Sequence, residues 1–334
     1  MTVILRHPEG VVSVEERANG RRRLTIVPSN DELFVPRGEC ETTYPMALIE
    51  LILGVKGPAY LCDEILRDED PGYVQEELER DLLAYFDRRD FDGKRILDFG
   101  CGSGASTVVL ARMFPSAEVV GVDLFEDLLS VARARMAHYG LDNLRLLQSP
   151  EGTQLPDALG RFSFVILSAV YEHLLPGERR TIMPKLWASV APGGYLFINQ
   201  TPNRLFPIEH HTTGLPLLNY LPRSLARVAA LRLSRRTSGN ESWETLLRRG
   251  IRGGTEGEIM DLLSDVDASP VLIEPRADGI RDRIDLWYAA LSPRRLRRTK
   301  QSLRVLLKLI HHVSGYALVP NLSLAILKPA TQPQ

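Results

Sequence analysis

From Lys94 onward, short apolar runs alternate with longer stretches whose apolar residues recur at helical spacing. Ile96-Leu97, Val119-Val120-Gly121-Val122, residues 143–148 and Phe162-Ser163-Phe164-Val165-Ile166-Leu167 read as strands. Between them, a stretch stopped by Pro115 and another over 125–139, with Gly140 just past its end, read as helices. Residues 197–200 close a fifth strand, Thr255-x-x-Glu258 is a capping box ahead of a helix over 259–263, and Val271–Ile273 and 322–327 supply a sixth and an antiparallel seventh strand. Alternating strands and helices predict an α/β fold: a doubly wound, seven-stranded, mostly parallel sheet, with its ligand at the carboxyl ends of the strands.

The first third of the chain has a different pattern. Residues 11–27 read as a β-hairpin around Asn19-Gly20, and 46–53 as an apolar helix ended by Gly54 and Gly57. After an acidic run over 63–70 comes an amphipathic helix over 73–86, with Val74, Leu78, Leu82 and Tyr85 on one face. The expected organisation is an acidic α+β subdomain over 1–92 and a larger domain over 93–334, with insertions at 201–254 and 277–315.

With 41 basic against 42 acidic residues in 334, the chain has no polyelectrolyte character, and nucleic acid is not an expected partner. Cys40, Cys62 and Cys101 lack metal-knuckle spacing and suggest no disulfide framework, which fits a reducing compartment. Arg6 and Glu9 fall where a signal peptide needs apolar residues, and no apolar run approaches the ~18 residues of a membrane span. A cytoplasmic protein is expected.

The candidate chemistry centres on Ile96-Leu97-Asp98-Phe99-Gly100-Cys101-Gly102-Ser103-Gly104, a buried strand turning into a helix through alternating glycines. Such a loop brings a small cofactor against main-chain N–H groups. The glycines also satisfy a dinucleotide fingerprint, so an NAD-dependent enzyme is an alternative. Asp98, before the first glycine, counts against it: an acid there repels a pyrophosphate but suits the ammonium of an amino-acid-bearing cofactor. Asp123, ending the next strand, can accept both hydroxyls of a ribose.

Asp-x-Gly-x-Gly-x-Gly resembles the first motif of the class I S-adenosylmethionine-dependent methyltransferases. Leu155-Pro156, Phe162-Ser163-Phe164-Val165, Glu172-His173-Leu174 and Pro192-Gly193-Gly194 then follow in the order of the small-molecule members. Thr201-Pro202-Asn203-Arg204 loosely resembles the ubiquinone-type O-methyltransferases. The resemblance covers residues 95–200 well, and Ser163 and Glu151 depart from it where the family has Asp. It implies a Rossmann-like methyltransferase fold, S-adenosylmethionine as cofactor and a small-molecule acceptor that is sugar- or lipid-linked. The implied cofactor residues are Asp98, Gly100, Cys101, Gly102, Gly104, Asp123, Leu124, Glu151 and Ser168, with Asp98 at the methionine end, Asp123 at the ribose and Glu151 at the adenine. A methyltransferase fold that has lost catalysis and serves as a binding module is the rival of a different class.

Methyl transfer to a hydroxyl needs a base, and histidine is the natural one near neutral pH. His210 and His211, past the fifth strand where an acceptor enters, are the expected base; His173 is the next candidate. Glu172, His173, Glu209 and His210 carry metal-ligating groups, but their spacing matches no metal motif and no metal is expected. Thr43 and Tyr44 are candidates for a wall of the site, against the plainer reading that Tyr44 packs its own subdomain. Two basic amphipathic stretches, 223–236 and 294–308, offer peripheral contact with an anionic membrane, although such helices more commonly pack on their own domain.

Overall fold

The computed structural model describes residues 2–30, 33–264, 266, 269–291 and 297–330. Contacts group the chain into two compact units, one of residues 1–79 with 100–149, the other of 80–99 with 150–334.

In the first unit, β1 (Thr2–His7), β2 (Gly10–Glu16), β3 (Arg22–Pro28) and β4 (Glu39–Thr42) form an antiparallel sheet in sequence order. The β2–β3 turn is the expected hairpin, with Gly20 at φ 77°. Strands β1 and β4 extend that hairpin on both sides and were not anticipated. The sheet's alternating Val12, Val14, Leu24 and Ile26 are buried against α1 (Met46–Glu69). Instead of ending at Gly54, α1 bends at Gly57 (φ 73°, ψ 171°) and restarts at Pro58, a residue suited to a first helical turn. The acidic run therefore lies on a helix, with Glu64 and Asp68 facing inward. The same unit contains α3 (Ala105–Met113), β6 (Glu118–Asp123), α4 (Glu126–Tyr139) and β7 (Leu144–Gln148); β6 and β7 pair in parallel and both helices pack on them.

The amphipathic stretch after α1 forms a π-helical turn, Pro71–Gln75, and then α2 (Glu76–Leu83). In the second unit, β5 (Arg95–Phe99), β8 (Phe162–Ser168) and β9 (Val190–Pro202) pair in parallel, β13 (Asn321–Leu327) runs antiparallel to β9, and β12 (Val271–Ile273) runs antiparallel to β13. The full sheet has seven strands in the order β12, β13, β9, β8, β5, β6, β7, the mixed, mostly parallel arrangement expected. Helix α5 (Pro176–Ser189) packs on β8 and β9, and α8 (Glu256–Ser264) on α5. Thr255 Oγ1 accepts from the N–H of Glu258, as the capping signal required.

Strand β9 runs two residues past its expected end. Gln200, at φ 60°, is the extra residue opposite the Leu322/Ser323 step, a bulge of the kind that re-aims side chains beside sites. The first insertion then supplies the short pair β10 (Ile208–Glu209) and β11 (Leu215–Pro216), α6 (Arg223–Leu233) and α7 (Trp243–Arg248), closed around Leu218, Ala226, Ala230 and Trp243. The second insertion contains α9 (Arg283–Ala289) and α10 (Arg297–Ser314), joined by Arg304 and Lys308 on Asp285. Arg294 and Leu296 of the expected basic helix lie outside the described residues.

Candidate active site

The glycine loop is pinned by the backbone of the strand beside it. Gly100 and Cys101 N–H groups both donate to the carbonyl of Val122, at 2.8 and 3.1 Å. Gly102 N–H donates to Asp123 Oδ2 at 2.8 Å, and Phe125 N–H to Asp123 Oδ1 at 3.0 Å. The acid at the end of β6 thus holds the loop and its own following turn. Each carboxylate oxygen has two lone pairs, so the outer pair stays available for hydroxyls. Gly104, at φ 82°, opens α3 where a Cβ would lie 2.5 Å from that of Ala132, so only glycine permits this approach to α4. No atom lies within 4 Å of the Cβ position at Gly102. An acceptor-only acid beside a loop whose central residue faces open space fits a ribose-bearing cofactor.

The other cofactor candidates divide by burial. Asp98 at the end of β5 and Cys101 are buried, Leu124 is exposed, and Ser168 at the end of β8 is half-buried. Glu151 is exposed and accepts from Gln154 Nε2. A cavity of about 440 Å³ lined by Lys94, Ser163, Tyr195 and Arg276 lies at the amino ends of β5 and β8, the wrong end of the strands for this chemistry.

Three further candidates converge in the second unit, though not in the expected combination. Glu172, His173 and His211 place one ligating atom each within 4.8 Å of one another, and the two imidazole rings are 5.7 Å apart. His210 turns away: its Nε2 lies 2.9 Å from Asn321 Oδ1. Glu209 is occupied by its own turn, accepting from the N–H groups of Thr212 and Thr213. The paired reading of His210 and His211 therefore reduces to His211, and the grouping of Glu209 and His210 with Glu172 and His173 is not formed. Adjacent residues in a turn point in different directions, so sequence adjacency misled here.

The cluster has an unusual charge balance. Burial pushes the Glu172 carboxyl above its usual range, with His173 and the Thr201 hydroxyl opposing. His211 is held below its ordinary value by desolvation and then by His173, although the residue stays open to solvent. Thr201, re-aimed beyond the Gln200 bulge, donates its hydroxyl to Glu172 Oε2 at 2.9 Å. His173 Nδ1 lies 2.7 Å from the carbonyl of Arg248, whose side chain forks onto Glu178. A carbonyl only accepts, so Nδ1 carries the hydrogen and Nε2 keeps a lone pair.

Thr43 and Tyr44 are not cluster residues. Tyr44 is fully buried and donates to Asp68 Oδ2 at 2.5 Å, while Thr43 hydrogen-bonds Glu69. Around them lies a buried ion network that sequence reasoning missed: Arg135 meets Glu64 and Asp68, and Ser103 of the glycine loop donates to Glu64 at 2.6 Å. Its available signal was two acids four residues apart among the apolar residues Leu61, Cys62 and Ile65 of α1.

The glycine loop and Asp123 form a strand–loop–helix unit whose donors and acceptors fit a ribose-containing cofactor. Residues 96–194 match the family described as "Methyltransferase domain". The trans-aconitate 2-methyltransferase of Variovorax paradoxus is 34% identical over 116 residues, which are 35% of this chain and 42% of the relative. The protein-L-isoaspartate O-methyltransferase of Nitrobacter winogradskyi is 37% identical over 83 residues, 25% of this chain and 37% of the relative. Among solved structures, the S-adenosylmethionine-dependent methyltransferase SibL aligns over 84% of this chain and 62% of its own, at 15% identity and a TM-score of 0.44. Residues 96–194 of this chain are thus similar to methyltransferase domains. The chain spans less than half the length of these curated relatives.

Proposed function

We propose that this chain methylates an oxygen of a small-molecule acceptor that is sugar- or lipid-linked. The observation that carries the reading is the convergence of Glu172, His173 and His211, which sets an accessible imidazole beside a buried carboxylate. Asp98 and the glycine loop hold the methionine end of the cofactor, Asp123 the ribose and Glu151 the adenine, with Ser168 and Leu124 completing the contacts. S-adenosylmethionine, when bound, supplies a methyl group on a positively charged sulfur. His211 would take the proton of the acceptor hydroxyl. The O-methyltransferase name of the Nitrobacter relative supports oxygen as the atom modified.

Helices α6 and α10 support a peripheral membrane contact for a lipid-linked acceptor. Leu225, Val228 and Leu233, and Val305, Leu306, Leu309 and Val313, are exposed apolar residues on basic helices. No helix among the described residues is long and apolar enough to cross a membrane. A cytoplasmic location belongs to the same reading, and Cys40, Cys62 and Cys101 are in no disulfide among the described residues.

The test is calorimetric titration with S-adenosylmethionine and, separately, NADH, followed by mass spectrometry of metabolite extracts incubated with the chain and methyl-labelled cofactor. We expect S-adenosylmethionine alone to bind and label to appear on an oxygen. Binding of NADH in its place, or label on nitrogen or carbon, overturns the reading.

A further inference from the structure

Glu172 is 1% exposed, and its two oxygens have different surroundings. Oε2 accepts from Thr201, whereas Oε1 is buried with no hydrogen-bond partner. Its neighbour is His173 Nε2 at 3.8 Å, the nitrogen whose lone pair is left open by the Nδ1 contact with the Arg248 carbonyl. At that separation a shared proton cannot make a normal hydrogen bond. An orphaned carboxylate oxygen and an imidazole lone pair therefore face the same space with no hydrogen between them, and His211 brings a third ligating atom to it. This arrangement is costly for a buried acid and is satisfied by a cation.

The surroundings are those of a built site. The hydroxyl of Thr201 and the carbonyl of Arg248 fix the carboxylate and the imidazole tautomer, the outer contacts that orient metal ligands. Gly250, at φ +87°, leaves room for the approach: a Cβ there would lie 2.7 Å from His211 Cδ2 and 3.1 Å from Glu172 Cγ. Two imidazoles and one carboxylate suit a borderline divalent ion such as Zn²⁺ or Mn²⁺, and three protein ligands leave positions open for oxygens of a substrate.

We propose that Glu172, His173 and His211 bind one divalent transition-metal ion whose open positions take oxygens of the methyl acceptor. This rests on the acceptor reading above and deepens it. With the ion in place His211 is a ligand, and the acceptor's hydroxyl proton leaves to solvent because the cation stabilises the oxygen anion.

The test uses the full chain, stripped with chelator, titrated with ZnCl₂ by calorimetry and with Co²⁺ by visible absorption, in the absence of acceptor. One ion per chain is expected, with ligand-field bands of Co²⁺ bound through nitrogen. His211→Ala, at an exposed position, is expected to lower Zn²⁺ affinity more than about 100-fold, and Thr201→Val, which keeps shape and burial, about 10–100-fold. His211→Ala is expected to melt near the wild-type temperature and Thr201→Val, which takes a hydroxyl from a buried carboxylate, somewhat below it, and both to bind S-adenosylmethionine normally. Wild-type protein that binds S-adenosylmethionine but no Zn²⁺ overturns this inference and leaves the methyl-transfer reading standing. Unchanged Zn²⁺ affinity in His211→Ala also overturns it. Zn²⁺ binding that His211→Ala abolishes, in a chain that fails to bind S-adenosylmethionine, supports the ion site and overturns the methyl-transfer reading.

Discussion

Asp68 and Glu172 are both carboxylates with almost no exposure, yet one is surrounded and the other is left open. Asp68 accepts from Tyr44 and Tyr139 on one oxygen and faces Arg135 at 3.5 Å with the other. Its neighbour Glu64 has Ser103, Arg135 and Lys56. Glu172 has one hydroxyl on Oε2; its Oε1, like Asp68 Oδ1, makes no hydrogen bond, but where Asp68 Oδ1 faces a guanidinium, Glu172 Oε1 faces an imidazole that presents a lone pair. A buried acid whose charge is balanced by fixed partners holds a fold together; one whose balance is incomplete is poised for a proton, an ion or a substrate.

The largest effect belongs to the closed cluster. Arg135 is completely buried, so Arg135→Met leaves Asp68 with no cation and Glu64 with Lys56 alone, and is expected to cost about 3–5 kcal/mol of unfolding free energy. Denaturant unfolding measures it; a loss below about 1 kcal/mol would mean that Arg135 does not hold the closed cluster together.

The same network gives a pH dependence. Burial pushes the Glu64 carboxyl up, but the charges of Arg135 and Lys56 and the Ser103 hydroxyl outweigh it and hold its pKa at about 2. Its native pKa lies below the unfolded value, so its stabilising contribution is complete above that value and is lost as pH falls. The window runs from the ordinary 4.5 down to about 2. That difference corresponds to about 3 kcal/mol. Glu64→Gln is expected to flatten acid unfolding across this window, measured by denaturant midpoints at successive pH values.

At the open cluster the expected loss is in rate. His211→Ala, whether it removes a base or a ligand, is expected to cut turnover at least about 10²-fold while stability and cofactor affinity stay near wild type. His210→Ala is the internal control, since His210 pairs with Asn321 outside the cluster, and turnover within a few-fold of wild type is expected. Equal losses in both variants would return the base to the adjacent pair as a unit.

The parts legible in the sequence were those whose signal is local. Strand, glycine loop and following helix announce themselves because Gly104 must let α3 approach Ala132, and Asp123 falls at a strand end that any reading of 118–123 finds. Gly140 ended α4 for the same local reason. Illegible were features set by direction in space. Gly57 reads as a stop, yet Pro58 restarts the helix and turns an acidic loop into the inward face that meets Arg135. His210 and His211 read as equals until Glu209 capped its turn and sent one to Asn321 and the other to Glu172. Thr201 looked like the start of an insertion, because a bulge at Gln200 cannot be seen before the strand beside it is placed.

The smallest effect tests Asp123, the acid proposed to hold the cofactor, which combines both kinds of behaviour. Asp123 is fixed by the N–H groups of Gly102 and Phe125, as a structural acid is, yet it is only half-buried and its outer lone pairs are open. Asp123→Ala removes two backbone contacts that water can replace at a half-exposed position, so the cost to folding is small. On the proposed reading the same change also removes a charged acceptor for two ribose hydroxyls, and charge-assisted bonds contribute more than neutral ones. The expected result is S-adenosylmethionine affinity weakened by about 2 kcal/mol or more with a melting temperature close to wild type. Calorimetric titration beside a thermal melt separates the two. A large fall in melting temperature with unchanged affinity would move Asp123 into the company of Asp68, as an acid that braces the glycine loop and does not touch the cofactor.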